Sequence, residues 1–192
     1  MKKLTIIISA FLFLFLTAFT TAKIVWKNDD PHSQLGFTVT HLGVSDVSGT
    51  FNDFHVTVTS SKPDFSDAVF ELTANVASLD TRVEDTDNHL KSADFFDAEK
   101  FPTITFKSTS LEKTDKDKFK LTGNLTMHGI TKPVTMDLNY NGTVENTMNK
   151  KQTAGFQLTG TIKRTDFGIG VNFPEQMISD EVRIKADGEF MQ

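Results

Sequence analysis

Apolar and polar residues alternate along most of this chain, in eight stretches that each have one apolar face. The alternation is clearest at residues 119–127, 134–140, 154–162 and 182–190, where Lys, Thr, Asn, Asp, Gln and Arg fill most of the intervening positions. Side chains at i and i+2 of a strand share a face, so each stretch is predicted to be a strand with one apolar side. Such strands bury their apolar faces together in a sandwich or a closed barrel, and a barrel has an interior that can hold a ligand.

The other four predicted strands lie at residues 35–41, 50–59 and 68–79 and around Ile104 and Phe106. The strand at 50–59 changes phase between Phe51 and Phe54, which indicates a bulge. Residues 28–31 read Asn-Asp-Asp-Pro, a composition typical of a turn, and they place the start of the first strand after Pro31. Residues 85–98 interrupt the alternation and offer several helix N-cap residues, which predicts a short helical segment.

The first 22 residues have the three parts of a secretory signal peptide. Met1-Lys2-Lys3 is basic, residues 4–19 are almost wholly apolar, and Thr-Thr-Ala at 20–22 suits cleavage after Ala22. The apolar run is shorter than the roughly 20 residues of a membrane-spanning helix, although an uncleaved anchor is the alternative. We therefore expect a signal peptide at 1–22, one mature domain at 23–192 and a periplasmic location.

Composition narrows the kinds of function. The net charge of −5 comes without a basic patch, which argues against binding to nucleic acid or to anionic membrane surfaces. The absence of Cys excludes disulfides, thiolate metal ligands and a Cys nucleophile. The chain has 18 Phe but only one Trp and one Tyr, too few for the two aromatic girdles of a membrane barrel. We expect no stable membrane insertion.

Motifs for catalysis are missing from the sequence. The five His lie at positions 32, 41, 55, 89 and 128 and form no H-x-H or H-E-x-x-H pattern. There is no G-x-S-x-G elbow for a serine nucleophile and no glycine-rich phosphate loop. We therefore expect a binding protein without a metal site rather than an enzyme.

Arg164 and Asp166 follow the predicted strand at 154–162, where the chain enters a glycine-rich loop. A guanidinium at this position could face the anionic headgroup of a ligand. The alternative is a structural Arg–Asp pair that fixes the loop.

Seven short motifs run in order through almost the whole mature chain. They are His32-Ser33 with Phe37 and His41, Gly-Thr-Phe at 49–51, Ser-Leu-Asp-Thr at 78–81, His-Leu-Lys-Ser-Ala-Asp-Phe-Phe-Asp at 89–97, Phe-Pro-Thr-Ile-Thr-Phe-Lys-Ser at 101–108, Gly-Asn-Leu-Thr-Met-His-Gly-Ile-Thr-Lys-Pro-Val at 123–134 and Arg-Thr-Asp-Phe-Gly-Ile at 164–169. In this order and spacing they resemble the YceI-like family of exported polyisoprenoid-binding proteins. Residues 82–89 depart from the family, which more often has Arg-Asp shortly before the His-Leu pair.

The resemblance implies an all-β fold, an extended lipocalin-like, eight-stranded antiparallel β-barrel with a short helical segment around residues 85–98. It also implies a long apolar pocket for a polyisoprenoid or similar long-chain amphiphilic lipid, which the protein would bind and sequester or carry in the periplasm. Apart from this lipid, an isoprenoid or fatty-chain molecule, we expect no cofactor. A homodimer is compatible with the sequence.

The candidate ligand contacts are apolar residues on the inner faces of the strands and in the helical segment, together with three residues of the glycine-rich loop. They are Phe37, Val39, Phe70, Leu72, Phe95, Phe96, Phe106, Leu121, Leu125, Met127, Met136, Leu138, Phe156, Leu158, Arg164, Asp166 and Phe167. The alternative is a barrel that its own side chains fill and that has a structural or partner-binding role.

Overall fold

The structure, a computed structural model, describes residues 22–192, so the predicted signal peptide lies outside the described residues except for Ala22. Almost all of this part is β-structure, as the alternation predicts. The strands are β1 (Ile24–His41), β2 (Ser45–Phe51), β3 (Phe54–Ser60), β4 (Val69–Asn75), β5 (Leu79–Asp80), β6 (Thr103–Asp115), β7 (Lys118–Met127), β8 (Ile130–Glu145), β9 (Gln152–Lys163) and β10 (Glu181–Met191), and the helix is α1 (Glu84–Lys91).

Hydrogen bonding between the first and last strands closes the sheet into a barrel. The strand order is β10-β9-β8-β7-β6-β4-β3-β1, all neighbours are antiparallel, and β1 pairs again with β10. β2 and β3 lie end to end along β1, β2 on its C-terminal half and β3 on its N-terminal half. They therefore act as one kinked strand, and the predicted eight-stranded antiparallel barrel is confirmed.

Two predicted strands differ from the observed ones. The strand predicted at 35–41 is longer, and the strand predicted at 50–59 is split into β2 and β3. β1 begins at Ile24, since the residues between Asn28 and Ser33 bulge out of the pairing with β10 instead of forming a turn. On the neighbouring strand, Asn52 and Asp53 separate β2 from β3, so the predicted bulge is a break. Bulges bend strands and disrupt the ladder locally, and the paired breaks open a gap in the barrel wall.

The segment after β4 is also less regular than predicted. The side chain of Asn75 accepts a hydrogen bond from the Ala77 amide and caps a 3₁₀ turn, which ends the strand predicted at 68–79. The helix predicted around 85–98 ends at Lys91, where the amide of Ser92 donates to the His89 carbonyl. Within residues 22–192, no helix is long and apolar enough to cross a membrane.

The connection from β5 to β6, which contains α1, covers one end of the barrel, called here the α1 end. Phe95 is buried in this connection and its ring stacks on Phe173, with ring centroids 4.7 Å apart. Phe96 meets Phe51 of β2 edge to face, with centroids 5.8 Å apart. These contacts cover the α1 end with aromatic rings from separate loops.

Phe65 closes the opposite end of the barrel. Its ring packs 5.2 Å from Trp26, 5.1 Å from Tyr140 and 5.0 Å from Phe156, measured between centroids. The loop that carries it is held by Asp67, which accepts hydrogen bonds from the Ser60 and Ser61 hydroxyls. Burial by itself raises the pKa of Asp67, but these hydrogen bonds outweigh it and hold the pKa well below its usual range. Side chains therefore fill this end.

Replacing Phe65 by Ala should lower the free energy of unfolding by about 3–5 kcal/mol, because the cavity left among the aromatic rings cannot collapse easily. Urea unfolding monitored by far-UV circular dichroism measures this free energy. Met148→Ala, at an exposed position, is the control and should change stability by less than about 0.5 kcal/mol. A loss below about 1 kcal/mol for Phe65→Ala would contradict the packed end.

Candidate lipid-binding site

An apolar cavity of about 150 Å³, the inner cavity, lies inside the barrel. Eleven of the predicted ligand contacts line it, because a strand directs every second side chain inward. They are Phe37, Phe70, Leu72, Phe106, Leu121, Leu125, Met127, Met136, Leu138, Phe156 and Leu158. Phe51, Phe54, Val56, Ile162 and Ile184 also line it and were missed, although the same alternation points them inward.

The inner cavity is bounded by side chains of two kinds. Leu121 and Leu138 are fully packed by protein atoms. Leu72, Phe106 and Leu158 also line the cavity but are only partly buried, so part of their apolar surface faces the void. Protein side chains therefore pack one part of the interior and leave another part open.

A wider pocket of about 570 Å³, the α1-end pocket, lies between the barrel and the segment that contains α1. The predicted contacts Phe37, Val39, Phe95, Phe96, Met127 and Arg164 line it. His41, His89, Phe173 and Ile178 line it too and were missed. His41 is in phase with Phe37 and Val39 on β1, so the alternation could have found it. His89 lies in α1, and Phe173 and Ile178 lie in a loop without periodicity.

Phe37 and Phe51 stand between the two spaces, since both residues line both of them. Their ring centroids are 5.7 Å apart. The Phe37 ring lies against Gly49 of β2, where a Cβ atom would come within 2.5 Å of it. The glycine at position 49 thus allows this ring to form the boundary.

A second opening, the polar window, lies where the strand breaks interrupt the wall. It has a volume of about 630 Å³ and shares Ser33, Gln34, Leu35, Phe51, Phe54 and Asp187 with the inner cavity. Its other lining residues include Asp30, His32, Asn52, Asp53 and His55. Its ionisable groups are therefore carboxylates and imidazoles, and no Lys or Arg among the described residues lines it.

His32 at the polar window forms a hydrogen bond to Asp29, with 2.5 Å between Nδ1 and the carboxylate oxygen. This bond and the charge of Glu189 raise the pKa of His32. The side chains of Asp29, His32 and Glu189 each offer one possible metal-ligand atom, and these atoms lie within 4.8 Å of one another. The hydrogen-bonded pair accounts for this arrangement, and the predicted absence of a metal site stays a prediction.

Arg164 holds a loop rather than presenting its charge to a ligand. The side chain is 4% exposed, and all five of its N–H groups donate to backbone carbonyls. Nε donates to Ser179 at 3.2 Å, Nη1 to Ile169 at 3.1 Å and to Gly170, and Nη2 to Phe173 at 2.6 Å and Ile178 at 3.1 Å. The expectation that this guanidinium faces a headgroup is wrong in this structure, because no donor is left for one.

The alternative, a structural pair of Arg164 and Asp166, is right that Arg164 fixes the loop but wrong about the partner. Asp166 is exposed, lines none of the three spaces and, within residues 22–192, makes no ion pair or hydrogen bond with Arg164. The nearby carboxylate is Asp180, which accepts hydrogen bonds from Thr165. Burial raises the pKa of Asp180, but these bonds and the Arg164 charge lower it overall. Phe167, the third loop candidate, is buried in the core and lines none of the spaces.

A family model described as the YceI-like domain matches residues 26–190. The chain belongs to the YceI-like family. Among its relatives, a UPF0312 protein of Staphylococcus aureus strain N315 is 39% identical over 166 residues, which cover 84% of this chain and 94% of the relative.

Solved structures of three other proteins share the barrel. A Campylobacter jejuni YceI protein is 32% identical with a TM-score of 0.73, over 80% of this chain and 89% of that one. Burkholderia cenocepacia BcnA is 24% identical with a TM-score of 0.73, over 84% and 98%. A polyisoprenoid binding domain from Saccharophagus degradans is 13% identical with a TM-score of 0.65, over 87% and 97%. The last two likenesses show the fold alone.

Replacing Arg164 by Lys should lower the free energy of unfolding by about 1.5–3 kcal/mol, because three ammonium donors cannot satisfy five carbonyls. Amide exchange at residues 170–179 should become faster. Chemical unfolding measures the free energy, and hydrogen exchange measures the change in the loop.

Arg183→Lys is the matched control for this prediction. Arg183 is half exposed and pairs with Asp46 on the barrel surface at 2.6 Å, so its replacement should cost less than about 1 kcal/mol. Equal, small effects of the two substitutions would show that the carbonyl contacts of Arg164 do not hold the loop.

Proposed function

We propose that this protein binds a long-chain amphiphilic lipid of the polyisoprenoid type and sequesters or carries it in the periplasm, without catalysis. The observation that carries the proposal is the inner cavity, where apolar surface of Leu72, Phe106 and Leu158 faces a void beside a wider pocket. The shared fold with a polyisoprenoid binding domain supports the same ligand class.

The sizes of the two spaces suggest how such a chain would lie. A cavity of about 150 Å³ is comparable with one that holds a single benzene ring, so the inner cavity alone takes only a short piece of chain. The α1-end pocket, at about 570 Å³, lies within the usual range for small-molecule sites, about 300–1,000 Å³. A longer chain would occupy both and displace the Phe37 ring. Each CH₂ group buried would contribute about 0.8 kcal/mol.

The charges at the openings favour a lipid whose polar end is uncharged. In the described part of the chain, Arg164 is the one Lys or Arg that lines the α1-end pocket, and backbone carbonyls occupy all its donors. The polar window presents Asp53 and Asp187 instead. A phosphate group would meet no Lys or Arg with a spare donor at either opening. At the window the carboxylates would repel it, and His32 is already bonded to Asp29.

The alternative is a partner-binding barrel without a ligand, and the packed cluster around Phe65 favours it for one end of the barrel. Leu125→Trp separates the two proposals, because Leu125 lines the inner cavity. We expect the parent protein to co-purify with a long-chain lipid in mass spectrometry and the variant to lose most of it. The melting temperature of lipid-free protein should not change.

Val144→Trp, at an exposed position outside the cavities, is the control and should retain the lipid. Two results together would refute the lipid proposal. The parent would carry no lipid, and Leu125→Trp would lose about 1–3 kcal/mol of stability through overpacking.

We further expect the exported protein to begin at Lys23, since cleavage after Ala22 removes the basic and apolar leader. N-terminal sequencing of protein from the periplasmic fraction measures this. A retained Met1, or protein extracted only by detergent, would contradict both the cleavage and the proposed location.

A further inference from the structure

Two neighbouring loops at the α1 end expose four large aliphatic side chains. Leu42 and Val44 lie in the turn between β1 and β2, and Val171 and Met177 lie in the connection from β9 to β10. Their exposed fractions are 54%, 83%, 59% and 43%, respectively. These four residues are called the apolar rim. Such a set of exposed aliphatic side chains marks an interaction surface rather than scattered surface residues.

Backbone contacts hold the two loops together. The Leu42 amide donates to the Met177 carbonyl at 2.9 Å, and the Ser179 amide donates to the Thr40 carbonyl at 2.9 Å. Arg164 fixes the second loop from inside, through the carbonyls of Phe173 and Ile178. The aliphatic side chains therefore project from a supported framework, and their exposure is part of the folded structure.

The apolar rim borders the opening of the α1-end pocket. Met177 itself lines this pocket, and so do His41, next to Leu42, and Phe173, two residues after Val171. Val144 and Met148 are also exposed aliphatic residues, but they line none of the three spaces. A lipid that enters or leaves through the α1-end pocket passes the apolar rim.

The charges around the apolar rim indicate what covers it. Residues 42–45 and 170–174 contain no charged side chain. Asp46, at the start of β2, is paired with Arg183 at 2.6 Å. The connection from β9 to β10 carries one cation, the buried Arg164, and three carboxylates, at positions 166, 175 and 180. A basic cluster for anionic lipids is missing from both loops.

We propose that the α1 end docks on an electrically neutral lipid bilayer, with the apolar rim inserted among the headgroups and the α1-end pocket facing the membrane. This inference rests on the proposed function, because docking would let a long-chain lipid pass between bilayer and barrel without crossing water. Aliphatic side chains at the tips of supported loops suit shallow insertion, which depends on buried apolar area.

Flotation with phosphatidylcholine vesicles tests the docking. We expect the mature protein to float with the vesicles, and added phosphatidylglycerol not to strengthen binding. Val44→Asp should weaken vesicle binding about tenfold or more, because it removes an inserted aliphatic group and adds a charge. Val144→Asp is the matched control, since Val144 is 66% exposed on a strand away from the pocket, and it should bind vesicles as the parent does.

Uptake of a polyprenol from detergent micelles separates this inference from the proposed function. We expect Val44→Asp to take up polyprenol from micelles normally but to receive it slowly from vesicles. A parent that takes up polyprenol from micelles but does not float overturns the docking alone, whereas a parent that takes up none from either source overturns both proposals. Equal loss of flotation in Val144→Asp, or a parent dimer that Val44→Asp dissociates, would also overturn the docking.

Discussion

Closure of the barrel through the pairing of β1 with β10 is the constraint on which the rest of the structure depends. In an open sheet the apolar faces would need a second layer, whereas in a closed barrel they face one another. Once the ring is closed, the alternation along each strand decides which side chains are inside. Leu121 and Phe156 are buried for this reason, while Lys120 and Asp137 form an ion pair on the outer surface.

The two ends of the closed barrel differ because different side chains reach them. At one end Phe65 and its aromatic neighbours fill the cross-section. At the other end loops form the cover. The inner cavity and the α1-end pocket stay open there, and the rings of Phe37 and Phe51 lie between these two spaces. A ligand site formed in this way needs no catalytic group, since its affinity would come from burial of apolar surface.

The barrel and most of its lining were predictable from the sequence, because a period of two places Leu125, Met136 and Leu158 on inner faces without reference to any partner. The bulge between Asn28 and Ser33 was not, since its Asn-Asp-Asp-Pro sequence is equally typical of a turn.

The loop contacts carried even less signal in the sequence. The partners of Arg164 are backbone carbonyls, which every residue possesses, so no residue type identifies them. Phe65 is a single aromatic residue in a polar loop, and only the folded structure brings it to Trp26 and Tyr140.

Contacts between lipid protons and the methyl groups of the inner cavity test the central claim most directly. Protein labelled at its Leu methyl groups and otherwise deuterated would be loaded with a polyprenol and measured by NMR. The account predicts intermolecular nuclear Overhauser effects to Leu72, Leu125 and Leu158, which line the inner cavity, and none to Leu111, which lines none of the three spaces. Leu111 packs against the cluster around Phe65, so effects at Leu111 with none at the three cavity residues would place the lipid at the packed end of the barrel and contradict the account.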